Sequence, residues 1–389
     1  MSLSFIAACE GGKRKIAQVL LSNGEVDAKY TDEKGRTGLH YAAHKGYFDI
    51  VEMLIEKGAD VDYEDHNGET PLYFACLQSQ NQTATYLLEQ GANARISDFQ
   101  GNSLLHIASK NGQVKTVAAL INAGLDVNAE SKNAETPLSL AIVNRRRDVV
   151  IELINQGASI DVSNSDGETP FLLAVRIQNL PIIKLLIESG ADVNEPNNNG
   201  ITPLISAACN RNRMLIKLLV ESGADVLKES NEGLSSVWLS CAYNQKEVIK
   251  LFFEHGVSPN YTKPSINIGG DVGNYLAWLT TTKDLSIESS FNLDASRIFG
   301  GESLLHVAVK NGHISMVKLL LESGAEGDAQ DDLGNAALHY AAVSGKKDIV
   351  KYLLDNGVNR ELVNSKDQKA IDYSNAKGFN EITELLLSS

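Results

Sequence analysis

The chain has 389 residues, of which 43% are hydrophobic, and carries a formal net charge of −14. That length exceeds what one compact core serves, roughly 250–300 residues, and the apolar fraction excludes wholesale disorder. The acidic balance disfavours nucleic-acid binding, which needs a basic surface to neutralise phosphates.

At the N-terminus, Met1-Ser2-Leu3-Ser4 shows no charged segment followed by an apolar run, and no stretch reaches 18 apolar residues, so neither a signal peptide nor a membrane span is expected. Residues 2–34 keep Ala7-Ala8, Leu20-Leu21 and Gly24, with Lys13, Arg14, Lys15 and Gln18 on a polar outer side. From Gly35 onward a period of 33 sets in, landing on Gly68, Gly101, Ala134, Gly167, Gly200 and Gly233, and resuming at Gly301, Gly334 and Asp367. In the same phase, small residues recur at Ala42, Ala75, Ala108, Ala141, Ala174, Ala207, Ala308 and Ala341, where they let a neighbouring helix approach closely. Thr70-Pro71, Thr136-Pro137, Thr169-Pro170 and Thr202-Pro203 read as helix starts, Thr capping and Pro tolerated in the first turn. Pairs such as Leu54-Ile55 and Leu186-Ile187, three residues after Val51 and Ile183, mark the buried stripe of a second helix. Gly58, Gly91, Gly124 and their successors stop that helix, where a left-handed residue is needed.

Each unit thus reads as a turn, a short helix, a second helix, a glycine stop and an extended loop. The phrases Gly-x-Thr-Pro-Leu, Leu39-His40-Tyr41-Ala42-Ala43 and Gly58-Ala59-Asp60-Val61-Asp62 resemble the ankyrin repeat, and the resemblance covers nearly the whole chain. It implies an all-α solenoid of about twelve helix-turn-helix units with hairpin-like loops and terminal caps. The expected organisation is an N-terminal capping repeat over 1–34, seven regular repeats over 35–261, two more over 301–366 and a C-terminal cap over 367–389.

The register breaks between Gly233 and Gly301. One reading of 262–300 is a degenerate repeat with helices near 274–279 and 285–291, which its length favours. The other is a long insertion after Pro259-Asn260-Tyr261, anchored by Trp278, Phe291 and Phe299.

Catalytic signatures are absent: the sequence contains no G-x-S-x-G, H-E-x-x-H, G-x-G-x-x-G or Walker A run. Cys9, Cys76, Cys209 and Cys241 form no C-x-x-C pair and no zinc spacing, and small buried sites account for them. His40, His106, His306 and His339 share one register position, and the resemblance implies a structural role there, the imidazole bonding neighbouring backbone. Acidic residues such as Asp65, Asp98 and Asp166 precede the opening glycine, where short carboxylates bond turn backbone. An enzyme is therefore not expected, nor a metal or cofactor.

The resemblance implies instead a protein-binding scaffold or adaptor that receives a partner protein on the concave face of first helices and loop tips. The alternative is an inhibitor that occludes the active site of a partner enzyme. By position, that face offers Arg36, His44, Lys45, Phe99 and Lys110. Trp238, which replaces the usual His, and Tyr243 are interface anchors or, preferably, core aromatics beside an irregular neighbour. Arg145, Arg146 and Arg147 mark a turn between two helices, with Arg211 and Arg213 at matching positions and Arg176 nearby. Read as more than a solvated turn, they form a clamp for an acidic or phosphorylated segment. A monomer is expected, in the cytoplasm, with the nucleus as the other open location.

Overall fold

The computed structural model describes residues 2–23, 26–263 and 300–388. Gly24, the expected helices at 274–279 and 285–291, and Trp278 and Phe299 lie outside the described residues. Residue contacts divide the chain into two compact units, Met1–Asp192 and Val193–Ser389.

The first unit holds six helix pairs: α1 (Ser2–Glu10) with α2 (Arg14–Ser22), α3 (Gly38–Lys45) with α4 (Phe48–Glu56), α5 (Pro71–Leu77) with α6 (Asn81–Glu89), α7 (Leu104–Asn111) with α8 (Val114–Asn122), α9 (Pro137–Val143) with α10 (Arg147–Asn155), and α11 (Pro170–Arg176) with α12 (Leu180–Glu188). The second unit holds five: α13 (Pro203–Cys209) with α14 (Arg213–Glu221), α15 (Ser236–Ala242) with α16 (Lys246–Glu254), α17 (Leu304–Lys310) with α18 (Ile314–Glu322), α19 (Ala337–Val343) with α20 (Lys347–Asp355), and α21 (Ala370–Lys377) with α22 (Asn380–Leu387). A twelfth pair, as the sequence suggested, would fall in 262–300, of which residues 264–299 are not described. Among the described residues there is no β-strand beyond isolated bridges such as Thr31 to Thr37 and Ser97 to Ser103 at the base of some hairpin-like loops.

Local chemistry starts the Thr-Pro helices as the sequence predicts. The hydroxyls of Thr70, Thr136, Thr169, Thr202 and Ser235 accept from the backbone N–H three residues on, at 3.1–3.2 Å. Pro71, Pro137, Pro170 and Pro203 occupy the first turn, where a missing N–H is harmless. Ahead of it, the loop that we call the finger is closed by a short polar side chain. Asp32, Asp65, Asp98, Asn164, Asn197, Asp331 and Asn364 each accept from two backbone N–H groups of their own finger. The opening glycine has to be left-handed and small: at Gly200, φ is +73° and a β-carbon would lie 2.6 Å from the backbone nitrogen of Asn231 in the next finger.

Pairs of seven to nine residues are too short to be stable alone; they gain stability by burying their stripes on neighbours. Leu39, Ile50, Leu54, Leu72, Leu87, Leu104, Leu105 and Leu120 are fully buried, and each such side chain contributes about 1.5–3 kcal/mol. Hydrogen bonds between neighbouring units set the register. His40, His106, His306 and His339 accept at Nδ1 from the backbone N–H three residues earlier. Their Nε2 donates to the carbonyls of Glu69, Glu135, Asn335 and Gln368 in the following finger, at 2.9–3.1 Å. Only the neutral imidazole protonated at Nε2 makes both bonds. On the loops after the second helices, Asp62, Asn128, Asn194 and Asp328 accept from the backbone of Asn93, Ser159, Asp225 and Asn359.

The same bonds continue across the break in the repeat. Asn260 Oδ1 accepts from Glu326 N at 2.8 Å, His313 Nε2 donates to Ala242 O at 2.8 Å, and Thr262 bridges Ser303. Helices α15 and α16 therefore pack directly on α17 and α18. The chain leaves the described structure at Lys263 and re-enters at Gly300 within one finger, where Lys263 N donates to Glu302 O and Gly301 N to Lys263 O.

Two outcomes follow from this packing. Burial holds all four structural imidazoles below their ordinary 6.5. The unfolded chain takes up protons near that value while the folded chain resists, so their stabilisation is complete above pH 6.5. It is lost as the pH falls through the lowered folded values. Urea unfolding followed by circular dichroism should show stability dropping between pH 6.5 and 4, and His306→Leu should reduce that slope; an unchanged slope would count against the assignment. Direct stacking predicts, too, that spin labels on Lys250→Cys and Lys318→Cys (in a Cys209→Ser background) lie as close as labels at 217 and 250, on the order of 10 Å. A doubled separation would mean that a further pair intervenes.

Candidate functional site

From α3 onward each first helix, seven or eight residues long, has a finger at its N-terminal end and an inter-helix turn at its C-terminal end. Its outward side chains therefore lie between two edges, one of fingers and one of turns.

Across the first three pairs, this face forms a cleft lined by Glu10, Lys34, Arg36, His40, Tyr41, His44, Lys45 and Phe74. Three residues singled out in the sequence, Arg36, His44 and Lys45, meet here. Arg36 is the framework of the cleft: its guanidinium bonds Asp65 at 2.8 Å and Glu69 at 2.9 Å and lies 4.5 Å from the centre of the Phe74 ring. Those two carboxylates neutralise it. Lys34 and Lys45 are exposed and form no ion pair among the described residues, so they place two cations on the cleft's rim beside Glu10. His44 packs edge-on to Phe74, ring centres 5.8 Å apart, and partial burial lowers its pKa, with Lys45 and Arg36 acting in the same direction. Tyr41 donates to Asp32 at 2.6 Å. Tyr41, Phe74 and Glu10 were not singled out in the sequence. Tyr41 and Phe74 occupy a position where the next three units carry Ile107, Leu140 and Leu173, and that aromatic excess is the signal that could have found them.

Further along the first unit, Phe99 projects from a finger tip with 82% of its surface exposed, and Lys132 Nζ fixes its carbonyl at 2.7 Å. Lys110 is exposed at the end of α7. Arg146 Nε donates to Lys110 O at 3.0 Å, and Arg145 Nη2 donates to Ile177 O at 2.8 Å, so the arginine triplet ties three successive turns together. Arg147, exposed at the start of α10, makes no ion pair among the described residues. Arg176 is held by both oxygens of Glu168, at 2.9 and 3.2 Å.

Arg211 and Arg213 belong to the second unit. Arg211 stacks over Tyr243, its guanidinium carbon 3.9 Å from the ring centre, and Arg213 opens α14. Trp238 is 8% exposed, packed as a core residue with Lys263 Nζ 5.7 Å from its ring. Beside it lies a buried ion pair absent from the sequence reading: Lys310 Nζ is 2.5 Å from Glu302 Oε1, their side chains 7% and 1% exposed, and the ammonium sits 4.6 Å from the ring centre of Tyr340. Lys310 stands at the register of His44 and Lys110, yet here it is part of the core.

Cys9, Cys76 and Cys241 are buried, and desolvation pushes all three thiols up, Cys9 and Cys76 to about 12, so none is a ready nucleophile. Among the described residues no group of His, Cys, Asp or Glu could hold a metal ion, and no helix is long and apolar enough to cross a membrane.

Comparison with known proteins agrees with this architecture. The profile "Ankyrin repeats (3 copies)" matches residues 4–98, 63–131, 92–164, 152–230, 173–263 and 281–389. A putative ankyrin repeat protein of Rickettsia bellii (strain RML369-C) is 35% identical over 80 residues, which cover 21% of this chain and 29% of that protein. The match thus spans less than a third of that relative's length. Among solved structures, the human ASB11 ankyrin repeat domain is 28% identical with a TM-score of 0.51, covering 57% of this chain and 98% of that one. The ankyrin repeat domain of Bcl-3, described as a unique member of the IkappaB protein family, shares the fold at 23% identity and a TM-score of 0.51, covering 66% of this chain and 100% of that one. The period of 33, the Thr-Pro starts, the histidine bonds and a profile that matches nearly the whole sequence lead to one conclusion: the chain belongs to the ankyrin-repeat family.

Proposed function

We propose that the chain is a protein-binding scaffold whose first unit receives a partner polypeptide along its fingers and first helices. The observation that carries this reading is the cleft at Arg36, His44 and Lys45. Its floor is aromatic and rigid, because Phe74 is clamped under a doubly paired arginine. Its rim carries the exposed Lys34 and Lys45, which the framework does not need. A rigid aromatic floor with adaptable polar groups around it suits recognition, in which a few anchored contacts dominate the affinity. Phe99 extends the face: an aromatic side chain with no packing role sits on a finger whose turn is already closed by Asp98.

The reading predicts that Lys34→Glu, Lys45→Glu and Phe99→Ala together weaken binding of a partner captured from native lysate by roughly tenfold or more. The thermal melt should stay unchanged, since none of the three is buried. Partner binding that survives the triple variant at full strength would refute the placement.

A further inference from the structure

We infer that the turn edge of the first unit is a docking strip for a carboxylate-rich polypeptide segment, with Lys110, Arg145, Arg146 and Arg147 as its contacts. The inference rests on the protein-binding reading above and gives it a partner chemistry.

The first observation is a one-sided charge distribution. Segments 44–48, 77–81, 110–114, 143–147 and 176–180, which make the inter-helix turns, contain six Lys or Arg and no Asp or Glu, in a chain with 49 acidic residues. The equivalent segments 209–213, 242–246, 310–314, 343–347 and 376–380 of the second unit also contain no acid. The finger segments of the first unit, 31–36, 64–69, 97–102, 130–135 and 163–168, hold ten acids against three cations. A first helix of seven or eight residues, roughly 11–12 Å, separates the two edges. An acidic partner is thus repelled from one edge and drawn to the other, which gives orientation as well as attraction.

Stability accounts for only some of these cations. Lys45, Lys110 and Arg176 stand in the last turns of first helices, where the helix dipole favours positive charge. Arg147 is the opposite case, since it opens α10 at the positive end of the dipole. Arg145 takes a left-handed φ of +59° at the position where Gly46 and Gly112 stand in neighbouring units, so a strained arginine occupies a natural glycine site.

Geometry supplies the rest. The two arginines that touch protein do so through backbone carbonyls, which fix the guanidinium groups without cancelling their charge. Arg176, by contrast, is neutralised by Glu168 and contributes little. Successive turns are about 10 Å apart, the packing distance of their helices, which an extended chain covers in about three residues. The strip therefore fits acidic residues at every third position, and Leu77 and Val143, each 40% exposed, offer apolar contact between them. Nucleic acid, with one charge per roughly 1.7 Å of duplex, matches this wide spacing poorly.

The test uses the full chain and a fluorescein-labelled twelve-residue peptide with Glu at every third position. A peptide of equal composition with its glutamates in one block, a phosphoserine version and a single-stranded DNA oligonucleotide serve as competitors. Lys110→Glu with Arg147→Glu removes two contacts whose side chains form no hydrogen bond or ion pair among the described residues, and Lys110→Gln with Arg147→Gln is the milder pair. The spaced peptide should bind most tightly, weaken with salt, and lose roughly tenfold or more to the Glu pair and less to the Gln pair, with helical melts unchanged. Equal affinity for the charge-reversed chain would overturn the strip, and tighter binding of the phosphopeptide or oligonucleotide would overturn its carboxylate assignment. A lysate partner held by K110E/R147E but lost from the finger-face variants would overturn the strip alone. One held by both sets of variants would overturn the strip and the placement on fingers and first helices together.

Discussion

Stacking of each helix pair on its neighbour is the interaction on which everything else depends. A pair of seven and nine residues has too little apolar surface to order itself. The bonds between units tell each pair where to stop: a histidine to the next finger's carbonyl, and an Asp or Asn to the next loop's amide. They satisfy backbone groups that would otherwise be lost to water, and they fix the register to within one residue. Because the interior is settled by this repeated grammar, finger tips, outward first-helix positions and turns are left free to vary.

Much of this was legible because a period is a redundant signal. The Thr-Pro starts, the small residues at Ala42 and Ala75 and the glycine stops each recur in phase, so a departure in one unit does not hide the pattern. Ala134 and Asp367 stand where other units have glycine, and both still adopt the left-handed conformation. What the sequence concealed are the partners and the burial of particular charged side chains. Nothing in the period announces that Lys310 is buried against Glu302, because its register position is outward and solvated in other units. Arg36 appeared as a free contact and is instead the clamp that fixes Phe74 in the floor of the cleft. The pairing of Arg36 with Asp65 and Glu69 does not recur at a fixed interval, and the counterpart of Lys310 with Glu302, the half-exposed Arg176 with Glu168, gives no sign that the later pair is buried.

Charge is organised by the same geometry. Fingers need short acidic or amide side chains to close their turns, so they accumulate carboxylates such as Asp32, Asp65 and Asp98. Turns end one helix and begin another, and here they collect cations. The net charge of −14 conceals this separation. Under the proposed reading, a partner would meet an acidic edge on one side of the first helices and a basic edge on the other, a contrast that orients it before any close contact forms.

The central claim is that recognition uses the fingers, first helices and turns, while the second helices serve the framework. Hydrogen–deuterium exchange of the full chain with and without its captured partner tests this most directly. The account predicts added protection within 31–45, 97–111 and 143–147 and none on the outer faces of α4, α6 and α8. Protection centred on those second helices, with the fingers and turns unchanged, would contradict it.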